Sequence, residues 1–208
     1  MKAPTLVLLV RHALTRTTGT VLAGRAPGLH LSDDGRRQAE AVARRLVAHP
    51  KLEAIYASPL ERARETAAAI AKARGCAVRI ERELTELDVG DWTGRSLKRL
   101  SRKPEWQVVQ RHPSGFRFPG GESFVEMQAR VAGVLARLVE RHPGTVVVAV
   151  SHADPIKVAV AHALGVHLDL FQRIAIAPAS ITAIAYRSQG PLVLTLNSLD
   201  GDLAGFFA

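Results

Sequence analysis

The chain of 208 residues carries 28 basic and 19 acidic side chains, a formal charge of +9, with 47% hydrophobic and 23% charged residues. That length fits one domain with room for an insertion, and a domain of this size buries about 70% of its unfolded surface, so bulk disorder is excluded and no metal or disulfide staple is required. Cys76 is the single cysteine and no uncharged apolar run reaches the ~18 to 20 residues of a membrane span, so a soluble protein of the reducing cytoplasm, without a membrane partner, is expected.

The first apolar run, Thr5 to Val10, reads as a strand buried on both faces. It ends at Arg11, too soon for a signal peptide with a cleavage site. A Gly- and Pro-punctuated loop follows from Gly19 to Leu31. Ser32-Asp33-Asp34 is a helix start, and Gln38 to Ala48 keeps apolar residues at helical spacing. Glu53 to Ala57 is a second strand. Ser58-Pro59 reads as a capping residue followed by proline at the first helical position, which predicts a helix from Pro59 to Arg74. Ala77 to Ile80 is a short third strand, with Cys76 beside it as a small buried apolar residue.

From Leu84 to Gly121 the periodicity breaks down, punctuated by Gly90, Gly94, Pro104, Pro113 and Pro119 and holding both tryptophans. It is expected to form a partly helical insertion over one end of the sheet, and an irregular stretch of that length is usually functional. Helical spacing resumes from Glu122 to Arg141, Thr145 to Val150 is a second wholly apolar strand, and Asp154 to Leu164 is a helix. Ile174 to Ile176, Ser180 to Tyr186 and Leu192 to Asn197 are expected as closing strands, with Pro191 to Leu196 either an edge strand or the seam of a homodimer. The alternation predicts an α/β three-layer sandwich, a single domain over 1–208, with a mostly parallel central sheet that turns antiparallel at its late edge.

Three expected strand ends carry similar chemistry: Arg11-His12 after the first, Ser58 to Arg62 after the second, Ser151-His152 after the fourth. In an open α/β sheet the ligand crevice lies beyond the carboxyl ends of the strands, so these groups should meet. Arg62 and His152 also sit at helix N-termini, whose free N–H groups favour anions. Two arginines, two histidines and two helix ends suit a dianion such as a phosphate. A lone histidine after a strand is more often structural; it is the repetition at independent exits that points to a site. His30, His49, His112, His142, His162 and His167 lack this context and read as surface or packing residues. His152, His162 and His167 lack zinc-ligand spacing. No phosphate-binding glycine loop, dinucleotide fingerprint or EF-hand is present.

The basic balance does not by itself indicate nucleic acid. Only six of the basic residues are lysine, and aromatics make up 5% of the chain, without the interleaving of charge and stacking rings that a nucleic-acid binder uses.

Leu9-Val10-Arg11-His12-Ala13-Leu14-Thr15 resembles the signature of the histidine phosphatase superfamily, the phosphoglycerate-mutase-like family. The resemblance continues through Leu31 to Gly35, Ser58 to Ala63, Glu86 to Gly94, Pro119 to Ser123 and Val150 to His152, so ordered motifs span most of the chain. It implies a metal-independent, cofactor-free enzyme acting on a small phosphorylated metabolite. His12 would be the nucleophile that becomes a phosphohistidine, its second ring nitrogen donating to a fixed acceptor. Arg11, Arg62 and His152 would clamp the phosphoryl oxygens. Glu86 would be the proton donor to the leaving oxygen, with a carboxyl pKa raised toward neutrality; Asp88 and Asp91 are rival carboxyls whose ordinary role is loop capping. Departures are Ala13 and Ala153-Asp154 where glycines are usual, and Thr18 at a position commonly held by a phosphate-binding asparagine.

The short Gly90-Asp91-Trp92-Thr93-Gly94 form looks like the phosphatase branch. A phosphoglycerate mutase is the alternative, because Leu97 to Phe118 holds Arg99, Arg102, Lys103, Arg111 and Arg117. A non-catalytic phospholigand-binding module is a third reading.

Overall fold

A computed structural model describes residues 3–47, 49 and 51–201. The expected helix residue Ala48 and the outermost residues of the expected 1–208 domain lie outside that range. The elements run β1 (Thr5–Arg11), β2 (Val21–Leu22), α1 (Asp33–Val47), β3 (Leu52–Ala57), α2 (Glu61–Arg74), β4 (Val78–Ile80), β5 (Arg95–Ser96), α3 (Leu97–Leu100), α4 (Pro104–Arg111), α5 (Phe124–Arg141), β6 (Val146–Ser151), α6 (Ala153–Leu164), β7 (Ile181–Arg187) and β8 (Gly190–Ser198).

Six strands form one sheet in the order β4-β3-β6-β1-β7-β8. The first three pairings, β4 to β3, β3 to β6 and β6 to β1, are parallel, and β7 and β8 add antiparallel. The central strands β1 and β6 are buried almost throughout, because helices cover both faces, which is why their sequences are continuous apolar runs rather than alternations. Leu8, Val10, Val148 and Val150 meet Ala39, Val42 and Leu46 of α1 and Ala63, Ala67 and Ile70 of α2 on one face. Val7, Leu9, Val147 and Ala149 meet α5 and α6 on the other. This is the three-layer α/β architecture that the sequence predicts.

The 84–121 stretch is more than a lid over the sheet end. Leu84, Leu87, Val89, Trp92, Leu100, Val109 and Phe118 join the α5/α6 core. A run of aromatic contacts connects Trp92 to Phe118 (5.3 Å), Phe118 to Phe124 (5.5 Å) and Phe124 to Phe171 (5.1 Å). Tilted and edge-on rings of this kind add about 0.5–1.5 kcal/mol each beyond their buried area, enough to hold a segment without a long helix. Gly90 is required here: its φ is +48°, and a Cβ would lie 2.1 Å from the Pro119 carbonyl oxygen.

Several local expectations change. The helix expected from Pro59 begins at Glu61, with Leu60, whose side chain has no hydrogen-bonding group, as its extended cap residue; the Ser58 hydroxyl lies two residues earlier, where it meets both the Leu60 N–H and His152. Ile174 to Ile176 is not a strand. A 3₁₀ turn over Leu168–Arg173 precedes it, and the Ile176 carbonyl, free of any ladder, accepts from Arg11. Cys76 is exposed rather than buried, since Gly75 in the left-handed conformation (φ 73°) closes α2 and turns the chain outward. The helix expected from Glu122 starts at Phe124, where Ser123 and Glu126 form a reciprocal capping box, worth about 1 kcal/mol. Pro191 to Leu196 lies in β8, the edge strand of the sheet. Among the described residues no helix is long and apolar enough to cross a membrane.

Candidate active site

Strands β3, β6 and β1 are neighbours, so their carboxyl ends lie side by side. Ser58 N–H donates to the Val150 carbonyl and His12 N–H to the Ser151 carbonyl (2.9 Å), which fixes the three exits against one another. Arg11, His12, Arg62, Glu86 and Thr18 line one cleft of about 230 Å³. His152 is not part of the lining; it is fully buried, with its ring centroid 5.1 Å from that of His12.

His12 is 6% exposed, and its Nδ1 is 2.8 Å from the Ala13 carbonyl oxygen. A carbonyl only accepts, so Nδ1 carries the proton and Nε2, on the other edge of the ring, keeps its lone pair. Burial first, then the Arg62 guanidinium, push the His12 pKa down to about 3. His152 is held well below the ordinary histidine range by burial and then by His12 and the two arginines. Both rings are therefore neutral, as a nucleophilic His12 requires. The positive field comes from the arginines and helix ends.

His152 Nε2 is 2.7 Å from Ser58 Oγ, and Ser58 Oγ accepts the Leu60 N–H. A serine already accepting from the backbone can donate its O–H to Nε2, which leaves Nδ1 as the protonated edge. Arg11 is anchored by Nη1 on the Ile176 carbonyl (2.6 Å), Arg62 by Nη2 on the Gly24 carbonyl (2.8 Å). Arg11 Nε, Arg62 Nη1 and His152 Nδ1 are buried and have no partner within the protein. Three such groups at one place are costly unless an anion receives them.

Glu86 is half-buried, with its carboxyl in the cleft. One oxygen accepts the Leu87 N–H (2.9 Å). Burial, then the charge of Asp154, push its pKa up to about 7, against the opposing pull of Arg62 and Arg11. Asp88 and Asp91 are absent from the cleft lining. Asp88 caps the Gly90 N–H (3.0 Å) and pairs with Arg25 (3.3 Å), the loop-capping role expected of it. Thr18 lines the cleft, but its hydroxyl oxygen accepts the Thr15 N–H (3.0 Å) and lies 2.9 Å from Thr15 Oγ1. Ala13 is fully buried, and its N–H donates to Thr66 Oγ1 (3.1 Å).

The residues missed in the sequence are those that hold Glu86 in place. Arg130 of α5 donates to the Glu83 and Thr85 carbonyls. Arg25 Nε donates to the Glu86 carbonyl (2.8 Å). Glu122 accepts the Asp88 N–H (3.0 Å) and both guanidinium groups. Ser151 Oγ donates to the Leu84 carbonyl (2.6 Å). Glu122 and Ser151 belonged to quoted motifs; Arg25 and Arg130 are ordinary arginines until the chain folds. Thr15, Thr17 and Asp154 also line the cleft. Arg99, Arg102, Lys103, Arg111 and Arg117 do not appear in it, and Arg117 pairs with Glu126 instead. Among the described residues no group of three or more His, Cys, Asp or Glu is arranged to hold a metal ion.

Known proteins resemble the chain over most of its length. The phosphoserine phosphatase 1 of Hydrogenobacter thermophilus is 33% identical over 204 residues, covering 92% of this chain and 91% of its own. A probable phosphoglycerate mutase of Cronobacter sakazakii is 34% identical over 184 residues, 87% of this chain and 85% of that one. The solved mycobacterial glucosyl-3-phosphoglycerate phosphatase superposes with a TM-score of 0.85 at 25% identity, over 94% of this chain and 99% of its own. The family model for the histidine phosphatase superfamily (branch 1) matches residues 7–199, and the chain belongs to that family.

Proposed function

We propose that the protein is a phosphomonoester hydrolase that passes the phosphoryl group through His12. The observation that carries this reading is the tautomer of His12: the Ala13 carbonyl holds Nδ1–H, so Nε2 is a neutral nucleophile in the cleft that Arg11, Arg62 and Glu86 share. Nε2 attacks phosphorus, and the bond from phosphorus to the leaving oxygen breaks. Arg11, Arg62 and His152 Nδ1–H stabilise the charge spread over the equatorial oxygens. Glu86, protonated below about pH 7, gives its proton to the leaving oxygen. Water then attacks the phosphohistidine, Glu86 takes its proton, phosphate departs, and Nε2 regains its lone pair.

A mutase would have to hold a second phosphate while excluding water. None of the five basic residues that suggested one lines the cleft, which favours hydrolysis. A binding module would gain nothing from a carboxyl placed against the anion it binds. The experiment is to follow phosphate release against interconversion of 2- and 3-phosphoglycerate. Release of phosphate from small phosphomonoesters is expected, and efficient interconversion without release would replace this reading with the mutase.

The exposed Leu192 and Leu196 on edge strand β8 suit a homodimer seam, and light scattering that gives a monomer at high concentration would reject it. The compartment that suits the chain is the cytoplasm, with one free thiol and no disulfide among the described residues.

A further inference from the structure

The cleft contains two carboxyls, and the reaction above uses one. Asp154, the second residue of α6, lines the cleft together with Glu86. An acid in the first turn of a helix ordinarily offsets the dipole from the solvent side. Here it does so inside the cleft, cancelling part of the field that would otherwise draw in anions. Its charge reaches both Glu86 and Arg11. Asp154 pairs with Lys157 at 3.3 Å, but that ammonium is also bound to Gln172 Oε1 (2.9 Å) and stands over the Phe171 ring (5.7 Å), and Lys157 is not part of the lining.

The charges can be counted. Arg11 and Arg62 are the lysine or arginine side chains of the lining, and both histidines are neutral. A bound phosphate of about −2 at neutral pH uses both guanidinium charges. Apart from the Glu86 and Asp154 carboxyls, the side chains left beside it are hydroxyl or apolar, Thr17, Val21, Leu22, Val89 and Leu97 among them. A second negative group on the substrate would find no cation there and would face Asp154 in a partly desolvated space, where like charges repel far more than in water.

We propose that Asp154 is a charge filter on the leaving alcohol: the substrate is a phosphomonoester of a neutral or ammonium-bearing alcohol, and phosphorylated carboxylic acids and bisphosphates are disfavoured. This rests on the phosphatase reading for its place in turnover, but selection itself can be measured as binding. The probes are glycerol 3-phosphate and 3-phosphoglycerate, which differ by hydroxymethyl against carboxylate. Titration calorimetry on the His12→Ala protein removes the chemistry. Glycerol 3-phosphate is expected to bind at least about tenfold more tightly, and adding Asp154→Asn should shrink that preference at least about fivefold. Each preference compares two ligands on one protein preparation, so a partly misfolded variant does not distort it. Equal or tighter binding of 3-phosphoglycerate, or a preference that Asp154→Asn leaves unchanged, would overturn the proposal. Phosphate release by the unmodified protein is read separately: failure to hydrolyse either ligand would refute the phosphatase reading while leaving the binding preference to decide the filter.

Discussion

Replacing Glu86 by glutamine should make the ligand-free protein more stable and far less active, and the gain should depend on pH. A carboxyl raised from an ordinary 4.5 to about 7 binds more protons in the folded than in the unfolded chain between those values. Its contribution is therefore most favourable below 4.5 and is lost as pH rises toward 7. The difference of about 2.5 pH units corresponds to about 3 kcal/mol, and water in the half-open cleft lowers this to about 2 kcal/mol. Glutamine has the shape of the neutral acid and does not titrate. Urea unfolding of wild type and Glu86→Gln at pH 5 and pH 8 should show the variant gaining about 2 kcal/mol on the wild type between the two conditions, while turnover falls by about 10²–10⁴-fold. An identical stability difference at both pH values would mean that Glu86 ionises as an exposed carboxylate, and the reasoning that makes it the acid would fail.

Other perturbations follow from the same geometry. Arg130→Ala releases the Glu83 and Thr85 carbonyls and should lower kcat about tenfold with little change in KM, read from steady-state kinetics; a purely KM effect would contradict a role in holding the acid. At Gly35 a Cβ would lie 2.0 Å from the Leu14 carbonyl oxygen, so Gly35→Ala should cost about 2 kcal/mol or more, and an unchanged thermal midpoint would argue against that close approach. For His12, with its pKa pushed down to about 3, the folded state binds fewer protons than the unfolded between 3 and 6.5, so this group lowers stability as pH falls below 6.5. Nitrogen NMR at pH 5 should show a neutral ring with Nδ1–H, and a doubly protonated ring would refute the assignment.

The sheet, its flanking helices and the carboxyl-end location of the cleft were legible because buried parallel strands write themselves as unbroken apolar runs. Arg11, His12 and Arg62 were legible for the same reason: each follows a strand whose direction is set by that pattern. What stayed hidden depended on contacts across the chain. Ser58 looks like a helix cap until His152 is placed beside it from 94 residues away. Ile174 and Ile176 carry the alternation of a strand, yet the Arg11 guanidinium takes the carbonyl that a ladder would have used. The clamp of Arg25, Glu122 and Arg130 joins three separate segments, and no local period signals it. Asp154 stood out in the sequence only as a departure from glycine, and its position beside Glu86 gives it meaning.

Transfer to His12 is tested most directly by mixing the enzyme with a turned-over phosphomonoester, quenching in alkali where phosphohistidine survives, and mapping the peptides by mass. One phosphoryl group on the peptide bearing His12, absent from His12→Ala together with phosphate release, is the expected result. Undiminished hydrolysis by His12→Ala, or an adduct on another residue, would contradict a nucleophilic imidazole at this position.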